Sequence, residues 1–141
     1  MSYHILAIMP SWPETTDEFQ EAIDKLQLPF RFKNRENVAT WRAGTDYELL
    51  GKEFLVERYF AKYDGRLKTL EANSNFEPGA NLYAIDFVLH SSVGPLVCVW
   101  AMCAALSKYY NAVIYYDCFD SFYCTYDDCV RYFQENLHNI E

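Results

Sequence analysis

The sequence predicts an α+β (or α/β) fold: one globular domain covering residues 1–141, with a mixed β-sheet packed by about three helices. Three features carry that expectation. A β-branched and aliphatic run from Tyr3 to Met9 is cut off by Pro10 and Pro13, a second strand-like run spans Leu82 to Leu89, and an almost continuously apolar segment, residues 93–110, follows it. At 141 residues, 51% hydrophobic and 18% aromatic, the chain can bury enough apolar surface to offset the entropy of ordering without disulfides or metal.

The first strand should lead through a proline-bearing loop into a helix at about Glu14 to Gln27. Thr15 or Thr16 can cap that helix, Asp17 and Glu18 suit the positive end of its dipole, and Phe19, Ile23 and Leu26 recur at helical spacing. Leu28 and Pro29 end it. Between residues 30 and 70 the pattern reads as meandering strands: Phe30 and Phe32 alternate with Arg31 and Lys33, Val38 to Trp41 is β-prone, and Phe54 to Phe60 is rich in β formers. A turn at Tyr63-Asp64-Gly65-Arg66 would lead to a further strand at Leu67 to Glu71, with a helix over Asp46 to Phe60 as the competing reading. Asn73 to Asn81 collects Asn, Ser, Pro and Gly and marks a surface loop. The segment at 93–110 is apolar on nearly every face, so a central buried helix against the sheet is expected there. Val113 to Tyr116 returns as a strand, which makes a βαβ unit with Leu82 to Leu89 if the two run parallel. A terminal helix starting at Thr125 or Asp127 carries Val130, Phe133 and Leu137 on one side.

Net charge is −8, and it is unevenly placed. Residues 1–70 hold ten Lys or Arg against eleven acids, whereas residues 71–141 hold only Lys108 and Arg131 against nine. Such a chain is repelled by phosphate backbones and anionic headgroups, so no nucleic acid and no membrane surface is expected as a direct partner. The longest apolar run, Val93 to Leu106, falls short of the roughly 20 residues a membrane span requires. The five cysteines, all between Cys98 and Cys129, cannot pair completely within one chain, and the N-terminal residues lack the pattern of a secretory leader. A cytoplasmic location with reduced thiols is the corresponding expectation.

Several residue groups are candidates for chemistry. His90-Ser91-Ser92 precedes a helix start, where an imidazole, two hydroxyls and free amides would suit phosphoryl or acyl transfer, a small hydrolase or transferase. No P-loop, nucleophile elbow or lysine accompanies them, and serine at a helix start is the ordinary cap, so capping is the preferred reading. Cys118, Cys124 and Cys129 do not have the spacing of a zinc hairpin, and no metal or cofactor is expected. Asp86 stands within an apolar strand, where alternation can put it on a solvated face.

Between Tyr115 and Asp128 the chain reads YYDCFDSFYCTYDD, six aromatic rings with four aspartates and no base. Rings beside uncompensated carboxylates suit recognition of a cationic protein, so Tyr115, Tyr116, Asp117, Phe119, Asp120, Phe122, Tyr123, Tyr126, Asp127 and Asp128 form the candidate partner-binding set. In general character, though not in any motif, an acidic domain without a catalytic signature resembles the inhibitor or immunity proteins that bacteria pair with toxic enzymes. That resemblance implies a non-enzymatic antitoxin role, binding a basic toxin or effector enzyme. An adaptor or chaperone for a secreted client is the third class the composition allows.

Overall fold

The computed structural model describes residues 2–118 and 120–140. Seven strands form one sheet in the order β2-β3-β4-β5-β1-β6-β7, and three helices pack against one of its faces, a single-domain α+β fold. The strands are β1 (Tyr3–Met9), β2 (Phe30–Arg31), β3 (Arg42–Leu49), β4 (Lys52–Lys62), β5 (Tyr83–Leu89), β6 (Val113–Asp117) and β7 (Phe122–Cys124). The helices are α1 (Thr16–Lys25), α2 (Val93–Tyr109) and α3 (Tyr126–Leu137).

Each of the six ladders is antiparallel, so the sheet is not mixed in its pairings. The expected βαβ unit survives in altered form. β5 and β6 both pair with β1 and therefore run parallel to one another, but β1 lies between them and α2 crosses over it.

Local chemistry accounts for the element ends. The Thr15 hydroxyl accepts from the Glu18 amide, and Asp17 and Glu18 occupy the first turn of α1. Thr125 and Asp128 form a reciprocal capping box at the start of α3. α2 ends with Asn111 at φ 52°, a left-handed position that asparagine tolerates, and the Ala112 amide donates back to the Leu106 carbonyl. The β3–β4 hairpin turns at Leu50 and Gly51, with φ 53° and 77°, the two positive values of a type I′ turn.

Two expectations in the middle of the chain are corrected. Val38–Thr40 is a 3₁₀ turn that buries Val38 under the sheet edge, not a strand. The residues after Asp64-Gly65 do not pair either. From Tyr63 to Leu82 the chain forms a long loop with a 3₁₀ turn at Glu71–Asn73, because its apolar residues fall too far apart for strand alternation. The helical alternative for Asp46 to Phe60 fails, since these residues form the hairpin.

The main core lies between the sheet and the helices. α2 is buried on all sides from Val97 to Leu106, with Trp100 1% exposed against the rings of Tyr116 and Tyr132. Close packing explains Gly94 at its start: a β-carbon there would enter the ring of Phe54. On β4, between β3 and β5, Arg58 is 4% exposed, yet fully employed. It donates to the Tyr47 hydroxyl (2.7 Å) and to both Glu36 oxygens (3.0 and 3.1 Å) and lies over the Trp41 ring.

The opposite face of the sheet has no helix. The Tyr63–Leu82 loop covers part of it, sealing Leu6, Ile8 and Ala84 under Leu67, Leu70 and Phe76. A hydrogen bond between the hydroxyls of Thr69 and Tyr123 (2.7 Å) ties this loop to β7. The rest of that face, over β3, β4 and β5, is open.

Candidate protein-binding face

Strand alternation and register determine which side chains share the open face. One cross-strand row runs through Gly44, Glu57, Val88, His4 and Asp117. The next runs through Arg42, Tyr59, Asp86, Leu6 and Tyr115 and ends at Tyr123. Beyond the first row, Asp46 pairs with Leu55 and Glu48 with Glu53. Leu55 is 60% exposed and Tyr59 37%, two large apolar groups outside any core.

Acids dominate this surface: Asp46, Glu48, Glu53, Glu57, Asp86 and Asp117 all project from it, and Asp46 and Glu48 have no ion-pair partner among the described residues. Lys33 meets Glu53, His4 Nδ1 meets Asp86 at 2.8 Å, and His90 Nε2 approaches Glu57 at 3.5 Å. The Tyr59 hydroxyl donates to the other Glu57 oxygen at 3.2 Å, and this hydrogen bond is the main cause raising the tyrosine's pKa. Glu57 thus lies between a phenol and an imidazole, and Tyr59 between Glu57 and Asp86.

At the β4–β5 end the face runs into a cleft of about 710 Å³, lined by Glu53, Leu55, Glu57, His90, Ser92 and Gly94 among others. Here the expectation about capping is corrected. Ser92 occupies the N-cap position of α2, but its hydroxyl makes no cap hydrogen bond. His90 has a neighbouring carboxylate, because the pairing of β4 with β5 brings Glu57 to it from 33 residues away. Ser91 is exposed at the same strand end.

The ten residues proposed from sequence are divided by the sheet. Tyr115, Asp117 and Tyr123 project from the side of the sheet that carries no helix, but Tyr115 and Tyr123 pack edge to face under the long loop, and of the three Asp117 alone is exposed. Tyr116 and Phe122 point to the helices, where Tyr116 stacks on Tyr3 and Phe122 and reaches Trp100. Asp120 is exposed in the turn between β6 and β7, and Phe119 lies outside the described residues. Tyr126 sits under the Lys108 ammonium, Asp127 complements the α3 dipole, and Asp128 closes the capping box and pairs with Arg131. The alternation from Lys52 to Lys62 was the missed signal: Glu53, Leu55, Glu57 and Tyr59 fall on one side, Phe54, Val56 and Phe60 on the other. Leu55 among the polar positions and Arg58 among the apolar ones blurred it.

The cysteines are free thiols, and Cys98, Cys103, Cys124 and Cys129 are buried. Burial pushes the thiols of Cys98 and Cys124 up to about 12 and that of Cys103 well above its ordinary value, so they are not nucleophiles at neutral pH. Among the described residues no group of three His, Cys, Asp or Glu side chains is arranged to hold a metal ion, and no helix is long and apolar enough to cross a membrane. Comparison with protein-family models, with curated proteins and with solved structures finds no match for this chain.

Proposed function

We propose that this chain is a cytoplasmic, protein-binding inhibitor of the immunity type, which neutralises a basic toxin or enzyme by docking it on the open face over β3, β4 and β5. The observation that supports this reading is the setting of Leu55 and Tyr59, exposed apolar anchors among five carboxylates, Asp46, Glu48, Glu53, Glu57 and Asp86, on three adjacent strands. Anchors of this kind supply the buried centre of an interface. The acids supply steering and register, accelerating encounter with a cationic partner by about 10 to 10³-fold at low salt. Hydrogen exchange on the complex with the partner recovered from the source cell tests the location. Protection should appear in peptides covering Arg42–Lys62 and Tyr83–Leu89, and protection confined to α3 would refute it.

A second reading rests on His90. With Glu57 3.5 Å away and Ser92 in the same cleft, the imidazole has the neighbours of a general base for a hydrolase or transferase. Under that reading His90→Ala lowers turnover by about 10² to 10⁴-fold while partner neutralisation is irrelevant. Under the inhibitor reading the same variant neutralises its partner nearly as well as the wild type.

A further inference from the structure

The outer edge of β3 is bare along most of its length. β2 pairs only with Glu48 and Leu49, leaving Arg42 to Asp46 without a paired strand on that side among the described residues. In a two-residue hairpin the residues flanking the turn exchange both hydrogen bonds, and alternation follows from there. Odd-numbered residues of β3 therefore bond to β4, as the Phe60 amide donating to the Trp41 carbonyl confirms one step beyond the strand. The amides and carbonyls of Arg42, Gly44 and Asp46 consequently point outward, three consecutive unpaired positions on an edge.

Edges of this kind are ordinarily blunted by lysine, proline or a bulge. The segment Arg42-Ala43-Gly44-Thr45-Asp46 has none of these. A shallow recess lined by Glu36, Thr40, Ala43, Gly44 and Thr45 runs beside it, and Ala43 and Gly44 are exposed.

We propose that this edge pairs with the same edge of a second copy, antiparallel and centred on Gly44, joining the two sheets into one. The sequence is charge-palindromic about that centre. With Gly44 opposite its own copy, Arg42 of each chain stands directly opposite Asp46 of the other, in hydrogen-bonded pairs whose side chains lie on the open face. Neither residue has an ion-pair partner among the described residues. Arg42 spends only Nη1, on the carbonyls of Trp41 (2.8 Å), Phe60 (2.9 Å) and Ala39 (3.2 Å), which leaves Nη2 and Nε for a carboxylate. At the axis, Leu55 leans over Gly44, with its Cδ1 3.2 Å from where a β-carbon would be, so two exposed leucines meet across the junction. Opposite charges and apolar groups facing across antiparallel strands are the stabilising cross-strand pairs of a sheet, here supplied by two-fold symmetry.

Sedimentation of the full chain at about 100 μM tests this, a concentration that populates a dimer of micromolar affinity. The wild type should sediment as a dimer. Asp46→Arg and Arg42→Asp should each weaken dimerisation about tenfold or more, by placing like charges opposite one another. The double variant Arg42→Asp with Asp46→Arg should restore it, because the pairs re-form with their signs exchanged. Thermal melts identify any variant that fails to fold, and Asp46→Arg, which touches no internal hydrogen bond, carries the test if Arg42→Asp does fail. A monomeric wild type, a dimer indifferent to the folded Asp46→Arg change, or a folded double variant that stays monomeric would each overturn the proposal.

Discussion

Glu48 and Glu53 stand directly opposite one another across the β3–β4 hairpin, on the face that no helix covers, and Lys33 alone among the described residues meets either of them. Like charges in this position are unfavourable in a sheet. Asp46, Glu57 and Asp86 extend the same field across three strands. A surface that holds repelling carboxylates around exposed apolar groups does not serve the stability of the isolated protein, and it is the surface that the proposed docking of a cationic partner requires.

That reasoning predicts a gain on removing one acid. Glu48→Gln should raise the stability of the isolated protein by about 0.2–1 kcal/mol, the range for a cross-strand charge pair. Urea unfolding at low salt measures it, and added salt should shrink the difference by screening. No gain, or a loss, would mean that Glu48 has a stabilising role.

Trp100 belongs to the core, between Tyr116 and Tyr132. Trp100→Ala should cost about 3–5 kcal/mol, the range for deleting a large buried aromatic side chain. A fully stable variant would contradict its packing between α2 and β6.

Glu36 neutralises the buried Arg58 at 3.0 Å. Glu36→Gln should destabilise by about 1.5–3 kcal/mol, the worth of hydrogen bonds to a charged group, since Arg58 remains buried with only neutral partners. An unchanged urea midpoint would show that water replaces the carboxylate there.

Burial raises the thiol of Cys98 from 9.0 to about 12. The unfolded thiol loses its proton near its ordinary value while the folded one keeps it, so the native state binds more protons and stability falls as pH rises. The loss begins at pH 9 and is complete near 12. Its slope is about 1.4 kcal/mol per pH unit from this group alone. Cys98→Ala should remove that contribution from the alkaline slope, read from urea midpoints between pH 8 and 10.5 or so. An identical slope in the variant would mean that Cys98 titrates alike in both states.

Helices were legible from sequence because their signals are local: Thr15 and Thr125 as caps, the stripe at Phe19 and Ile23, and the unbroken apolar character from Val97 to Leu106. Strands β1, β5 and β6 were equally clear, being core strands with few polar interruptions. The hairpin was less so, since its turn uses Leu50 at a positive φ where Asp64-Gly65 offered a more conventional signal. Of the candidate face, Asp86 was visible as an acid within an apolar strand and Asp117 as part of the aromatic and acidic run after Tyr115. Their grouping with Glu57 and Tyr59 depends on β4 pairing with β5 at long range, which no local pattern encodes. The aromatic run after Tyr115 misled in part, because alternation sends Tyr116 inward and Tyr115 and Tyr123 lie beneath a loop, while Phe122, on the helix side with Tyr116, stays 38% exposed.

The affinity of the partner recovered from the source cell, measured by calorimetry at low and moderate salt for the wild type and for Glu57→Lys combined with Asp86→Lys, probes the acidic face at its centre. The variant must first be shown to melt as a folded protein. Binding should then weaken by more than about 2 kcal/mol, roughly 30-fold, and the wild-type affinity should itself fall as salt is added. Equal affinity for wild type and folded variant, with no dependence on salt, would place the partner elsewhere on the molecule.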